Sequence, residues 1–424
     1  MPLPHALRAL RHRNFRIYYT GQAISMIGTW MQSIANTWLA YQLSESTAIT
    51  GLVGFMGQIP MLLVAPFAGV LGDRFERRRI LFLAQSSLIA VSATLALLAG
   101  LHLITVPLLV VLVLLTGILS AVETPTRQSF WVELIGDRGD LTNAIALNSV
   151  LMNATRLIGP ALGGILIAVS GETACYILNV LLTLAVVASL LRLPRSAPPQ
   201  DESRQRQSFL GGFQEGWRYA FESHPVRVLL LVVAVLSFTI SPYATLMPAI
   251  VVVTYASGSE LVGYFIGAVG LGALIGALHL AVRKNVRGLA KWIVIAFLIA
   301  GAGACSFAFS QSKTLSMLCL VLLGFGFITA GASINTILQS IVDDDKRSRV
   351  MSLYTASFIG AAPLGHLASG WLAEHIGAPR TFLVNGVACI LAGLLFAWRL
   401  PKLRNALRHI YIRRGIIPPP GSGQ

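Results

Sequence analysis

Gly69-Val70-Leu71-Gly72-Asp73-Arg74-Phe75-Glu76-Arg77-Arg78-Arg79 sets four arginines and two acids between two long apolar stretches, 48–71 and 80–101. Each stretch has about the 20 residues that a helix needs to cross a hydrocarbon core of about 30 Å. A short, basic, Gly-opened link between two such helices reads as a cytoplasmic loop, because Lys and Arg are retained on that side of the membrane.

The same pattern continues in both directions. The chain has 424 residues, 55% of them hydrophobic and only 12% charged, with a mean hydropathy of +0.72. That leaves too little polar surface to wrap a water-soluble domain of this size, so the composition reads as an all-α membrane protein. Twelve spans are expected, at 15–41, 48–71, 80–101, 104–122, 142–168, 173–193, 226–254, 261–282, 290–309, 313–338, 350–374 and 379–399. Residues 1–14 carry Arg8, Arg11 and Arg13 without a short apolar core and small-residue cleavage site, so no cleavable signal is expected there.

A net charge of +15 raises nucleic acid as a partner, and the distribution of the charge excludes it. With the N-terminus inside, all but Arg156, Lys313 and Arg380 of the 32 Lys and Arg fall on one side, in short links and tails. That bias places both termini in the cytoplasm and the chain in the inner membrane. Nucleic-acid binding needs basic side chains gathered on a folded face with aromatics for bases to stack on. Cys175, Cys305, Cys319 and Cys389 fall inside expected spans without paired or metal-ligand spacing, and read as small buried hydrophobes.

Composition divides the chain into a six-helix bundle at 1–193, a cytoplasmic linker at 194–224, a second bundle at 225–400 and a cytoplasmic tail at 401–424. The linker opens with Pro194, Pro198 and Pro199 and turns polar from Gln200 to Ser208. Phe213, Trp217 and Phe221 beyond it suggest an amphipathic helix on the membrane surface. The halves echo each other at an offset of 206, with Gly159, Gly164, Gly171 and Asn179 opposite Gly365, Gly370, Gly377 and Asn385. At slightly larger offsets Arg16-Ile17 echoes Arg227-Val228 (211) and Gly69 maps onto Gly276 (207). Two similar halves facing one another are how duplicated transporters build a central cavity that opens alternately to either side.

Polar residues trace the wall of such a cavity. In the first span Gln22, Ser25, Thr29, Gln32 and Asn36 recur at helical spacing on one face, and Thr329, Ser333, Thr336 and Ser340 do the same in the tenth. Groups of this kind must meet protein or water rather than lipid, so hydrogen bonding between helices and a substrate path both explain them. Arg156 is the one basic residue expected well inside a span, where a guanidinium needs a cavity, a partner such as Glu123, or a substrate anion. Snorkelling to the interface is its plainer reading. His279 and His366 also fall inside spans, as titratable groups or as hydrogen-bonded packing residues. Glu45, Glu172, Glu260 and Glu374 fall at outer helix ends, where solvation is the default reading. No Gly-rich phosphate loop followed by Lys-Ser/Thr and no nucleophile–base pair stands out, so neither ATP hydrolysis nor enzymatic catalysis is expected, and no cofactor or metal.

Gly69-x-Leu71-x-Asp73-Arg74 followed by Arg77-Arg78 resembles the signature between the second and third helices of the major facilitator superfamily. Arg156-Leu-Ile-Gly159-Pro160-Ala-Leu-Gly163-Gly164 resembles the antiporter motif of that superfamily's exporters. The stretch from Glu123-x-Pro125-x-Arg127 to Asn143-Ala-Ile-Ala-Leu-Asn148-Ser149 is most similar to the enterobactin-exporter branch. The resemblance implies twelve helices in two pseudo-symmetric halves. It implies export of a siderophore or drug-like molecule by alternating access in exchange for protons, by a monomer. Uptake symport and lipid flipping use the same fold, whereas a non-transporting scaffold has no use for a wet centre. On this reading Gly69, Gly72, Asp73, Arg74, Arg77 and Arg78 form a conformational latch, in which Asp73 accepts hydrogen bonds from a helix N-terminus or pairs with an Arg. Gly159, Pro160, Gly163 and Gly164 form a kinked hinge. Gln22, Ser25, Thr29, Gln32, Asn36, Glu123 and Arg156 line the substrate path. Many proton-coupled relatives carry an arginine in the middle of the fourth helix, and 104–122 has none.

The expected topology is checked by single cysteines and a membrane-impermeant thiol reagent added outside intact cells. Positions beside Glu45, Glu172 and Glu260 are expected to react and those beside Arg78, Arg204 and Arg347 to stay unlabelled; the reverse pattern inverts the topology.

Overall fold

The computed structural model describes residues 5–65, 75–135, 138–194, 223–283, 286, 288–343 and 346–413. Among them every regular element is helical. After a short 3-10 turn at His5–Arg11 come α1 (Arg13–Ser44), α2 (Thr47–Leu63), α3 (Arg77–Gly100), α4 (Val106–Ile135) and α5 (Arg138–Arg192). They are followed by α6 (His224–Ile240), α7 (Tyr243–Tyr255), α8 (Ser259–Ala281), α9 (Leu289–Phe309), α10 (Lys313–Ile341), α11 (Arg347–Ile376) and α12 (Ala378–Arg413). Eight stretches within this set are long and apolar enough to cross a bilayer by length and composition. Each of the twelve expected spans falls on helix, the second of them in its described part only.

Three boundaries differ from the sequence reading. The fourth span, expected to end at 122, continues through the charged run to Ile135, so Glu123 and Arg127 belong to a membrane helix. The seventh divides into α6 and α7 around Ser241 and Pro242, where proline removes a backbone donor while Ser241 itself keeps helical dihedrals (φ −53°, ψ −33°). The fifth and sixth spans run on as α5, whose one non-helical residue is Gly171 (φ 77°, ψ 171°). Pro160 keeps helical dihedrals, and Gly171 lies in the gap at 169–172 expected between the fifth and sixth spans. Gly377, its partner at the 206 offset, also has positive φ (86°) and separates α11 from α12.

The described residues gather into two compact units. The first holds the chain up to 194 together with 244–270 and 366–378, and the second holds 223–243, 271–365 and 379–413. In the first, α1 packs along α5 and also meets α2 and α4, while α3 packs against both α4 and α5. An aromatic cluster closes one end, with Phe15 edge-on to Trp131 and Tyr18 edge-on to Phe130, backed by Leu81, Val186 and Leu190. In the second unit α10 packs on α9 and α6.

Helices approach each other through glycines, since small residues permit the close backbone contact that drives association in lipid. A Cβ on Gly164 of α5 would lie 2.8 Å from Gly263 Cα of α8, and one on Gly370 of α11 would lie 2.7 Å from Gly51 Cα of α2. Gly159 and Gly163 instead pack on Trp30 and Met31 of α1.

Gly171→Ala meets open space and tests backbone conformation alone, at an expected cost of about 1–3 kcal/mol. Gly164→Ala meets backbone on the facing helix and is expected to lower the thermal unfolding midpoint further. The opposite order would remove the close helix contact as the dominant constraint.

Candidate functional site

A cavity of about 350 Å³ opens inside the first unit among α1 to α5. The α1 stripe forms one wall, because Gln22, Ser25, Thr29, Gln32 and Asn36 all line it. Hydrocarbon offers no hydrogen-bond partner, so most of these groups find one on a neighbouring helix. Gln32 Oε1 accepts from Ser92 Oγ of α3 at 2.7 Å and from Asn179 Nδ2 of α5 at 2.6 Å. Asn179 Nδ2 also reaches Ser92 Oγ at 3.1 Å, and Ser25 Oγ donates to Thr183 Oγ1 at 3.3 Å. Thr29 returns its hydroxyl to the carbonyl of Ser25. Gln22 Oε1 and Asn36 Oδ1 are buried acceptors with no protein donor, while Met26, Trp30, Val53, Leu88, Val113 and Met152 supply apolar wall.

The charged element of the cavity lies on α4. Glu123 and Arg127, one helical turn apart, are 6% and 7% exposed, with Arg127 Nε 2.9 Å from Glu123 Oε1. That contact is a close charge pair without hydrogen-bond alignment. Glu123 Oε1 accepts from Gln85 Nε2 of α3 at 3.2 Å, and Thr124 Oγ1 donates to Oε2 at 3.3 Å. The Arg127 guanidinium stands 5.9 Å from the centroid of the Trp131 ring. A buried carboxylate is tolerated only when paired and hydrogen-bonded, and the contacts from Arg127, Gln85 and Thr124 serve that need.

Arg156 does not join this group. Glu123, one partner considered for it, is taken by Arg127, and the Arg156 guanidinium instead stands 5.2 Å from the centroid of the Trp30 ring, half-buried. Because Trp30 lines the cavity, Arg156 bears on it through the ring. Of the latch residues, Gly69, Gly72, Asp73 and Arg74 lie outside the described residues. Arg78 Nε donates to the carbonyl of Leu190 at 2.7 Å, satisfying the end of α5, and Arg77 approaches Glu133 at 3.5 Å. The amphipathic segment 209–221 also lies outside the described residues. In the tenth span, Thr329 and Ser333 are fully buried, while Thr336 and Ser340 bond carbonyls of their own helix.

Sequence reasoning missed Arg127, Gln85, Ser92 and Thr183, and used Asn179 only as a marker of the repeat. The signal is present for Arg127: Glu123 and Arg127 stand at i, i+4, the spacing of a pair on one helix face, but by hydropathy alone the two charges end the span.

The family described as transmembrane secretion effector matches residues 5–410. The chain is 25% identical over 400 residues to a staphyloferrin A transporter of Staphylococcus aureus, covering 92% of this chain and 98% of that protein. It is 26% identical over 384 residues to the multidrug efflux pump Tap of Mycolicibacterium fortuitum, covering 89% and 93%. It is 27% identical over 408 residues to the enterobactin exporter EntS of Citrobacter koseri, covering 93% of each. In fold it is similar to a solved POT family transporter in complex with 5-aminolevulinic acid, with a TM-score of 0.74 at 12% identity over 92% of this chain and 96% of that one.

Arg127→Met leaves Glu123 charged and buried, at an expected cost of about 3–5 kcal/mol in stability. Adding Glu123→Gln is expected to recover most of that loss, as read by the unfolding midpoints of the two single variants and the double variant. Additive losses would mean that the two side chains do not act as a pair.

Proposed function

The chain belongs to the transmembrane secretion effector family of the major facilitator superfamily, and on that premise we propose that it exports a small organic solute in exchange for protons. It is a multi-pass membrane transporter, read here as a monomer of the inner membrane with both termini in the cytoplasm. The bundles 1–193 and 225–400 alternate access, joined by the linker 194–224. The observation that carries this reading is the buried Glu123–Arg127 pair in the wall of a cavity with unpartnered acceptors at Gln22 and Asn36.

The exchange follows from the charge state of Glu123. When ionised, Glu123 is an acceptor lining the same cavity as Gln22 Oε1 and Asn36 Oδ1, so the cavity suits an amphipathic solute with several N–H or O–H donors. A siderophore or a drug-like amine has that chemistry, and the similarity to siderophore and drug exporters supports the same class. A proton arriving from outside neutralises Glu123, removes an acceptor from the solute and weakens the hold on Arg127, so proton and solute displace one another. Arg156 fixes the Trp30 wall. The hinge Gly159-Pro160 with Gly163 and Gly164, and the latch of Gly69, Gly72, Asp73, Arg74, Arg77 and Arg78, are assigned to the conformational change. No covalent chemistry is assigned.

Proteoliposomes with an imposed pH gradient test the assignment against a carboxylate siderophore, a catecholate siderophore and a cationic dye. Accumulation of one of them on the acidic side, lost on adding a protonophore, is expected. Glu123→Gln is expected to abolish this uphill movement while retaining solute exchange without a gradient. Uphill movement at the wild-type rate in Glu123→Gln would overturn the role of Glu123, and accumulation on the alkaline side would overturn export.

A further inference from the structure

α2 and the 366–376 segment of α11 meet along a narrow seam within the first unit. Residues 47, 51, 54 and 58 form one face of α2, and 366, 370 and 374 form the facing stripe of α11. At one end, the Glu374 carboxylate caps the start of α2, with Oε2 3.0 Å from Ser46 Oγ, 3.0 Å from Thr47 Oγ1 and 3.1 Å from the Ala48 amide nitrogen. A carboxylate at a helix N-terminus is stabilised by the free amides and the helix dipole, so Glu374 is more than a solvated end. In the middle, Gly51 and Gly370 bring the two backbones into contact.

The other end holds His366, 3% exposed and with both ring nitrogens engaged by neutral groups. Its Nε2 lies 2.9 Å from Gln58 Nε2, and its Nδ1 is in hydrogen-bond contact with the hydroxyl of Thr245 on α7. Gly54 lies flat against the ring, for a Cβ there would be 3.1 Å from His366 Cγ. The amide nitrogen of Gln58 is a donor, so Nε2 accepts and Nδ1–H is given to Thr245. That is the neutral imidazole. Adding a proton at Nε2 would require the Gln58 amide to turn and present Oε1, in a space that Gly54 and Gly51 leave without slack.

Among the described residues, the surrounding elements supply no carboxylate within reach of that proton. α2 carries no titratable side chain, and α7 carries only Tyr243 and Tyr255 at its ends. Along α11, Glu374, His375 and Tyr354 lie about 12, 14 and 18 Å from His366 by the rise of 1.5 Å per residue. Gln58 lines the cavity that also contains the paired Glu123 and Arg127, and it is the link between that water-accessible space and the ring.

We propose that His366 is a proton-binding site that locks the α2–α11 seam when neutral and releases it when protonated. This rests on the chain's being an alternating-access transporter, and neither on its solute nor on Glu123. Histidine changes charge between about pH 5 and pH 8. The closed seam takes the neutral ring, so closure is favoured at high pH and lost as pH falls. The seam opens to a proton even with no solute bound.

The test is hydrogen–deuterium exchange of the full chain in lipid nanodiscs without solute, across about pH 5 to pH 8 and corrected for the intrinsic pH dependence of exchange. Peptides from 47–63 and 366–376 are expected to lose protection several-fold as pH falls in the wild type. His366→Gln and His366→Asn are expected to flatten that response. Gln58→Glu sets a carboxylate beside the ring, favours the imidazolium, and is expected to move the transition to higher pH. Glu123→Gln is expected to leave the transition in place. A wild-type response in both His366 variants, or loss of the response in Glu123→Gln with retention in His366→Gln, would overturn the proposal. Should the His366 variants not fold, an unmoved transition in both Gln58→Glu and Thr245→Val would overturn it equally. Because no flux is measured, failure here leaves the export reading standing, and failure of export leaves this one standing.

Discussion

A polar group in hydrocarbon has no water to fall back on, and the organisation of α1 to α5 depends on that constraint. The stripe on α1 is unaffordable against lipid, so it turns inward, and the residues that satisfy it then fix which helices stand beside it. Gln32 accepts from α3 and α5 at once, tying three helices through one carbonyl oxygen. The same rule brings Gln85 and Thr124 to Glu123. What remains unsatisfied, at Gln22 and Asn36, borders the cavity.

Much of this was legible in the chain. Span positions follow from hydropathy, and the α1 stripe follows from helical spacing, because both reduce to one physical preference read along one helix. The partners of the stripe were not legible. Ser92, Asn179 and Thr183 are unremarkable within their own spans and acquire meaning only where α3 and α5 cross α1. Arg127 is obscured for a different reason: in a hydropathy profile charge signals water, whereas a paired charge one turn from its partner tolerates burial. Arg156 inverted the error, since its isolation in sequence suggested a polar partner and it found an aromatic ring.

The weak internal repeat is stronger in three dimensions than in letters. Gly159 packs on Trp30 of α1, and its counterpart Gly365 packs on Phe238 of α6. Gly164 faces Gly263, and its counterpart Gly370 faces Gly51. Ser259 Oγ bonds the carbonyl of Gly164, as Thr47 Oγ1 bonds that of Gly370. Duplication thus preserved the places where backbones touch, while ionisable chemistry diverged: Glu123 and Arg127 on one element, His366 on another.

Contacts made by glycine have a mechanical consequence. A seam closed by interdigitating large side chains must reorder their rotamers each time it forms, at about 0.5–1 kcal/mol for each Leu or Ile, whereas glycine has no side chain to reorder. Where Gly51 meets Gly370, the two rods can part and rejoin like the faces of a ground-glass joint, returning to the same register without a search. For a device that repeats one motion many times over, wear is measured in misalignments, and this joint has few ways to misalign.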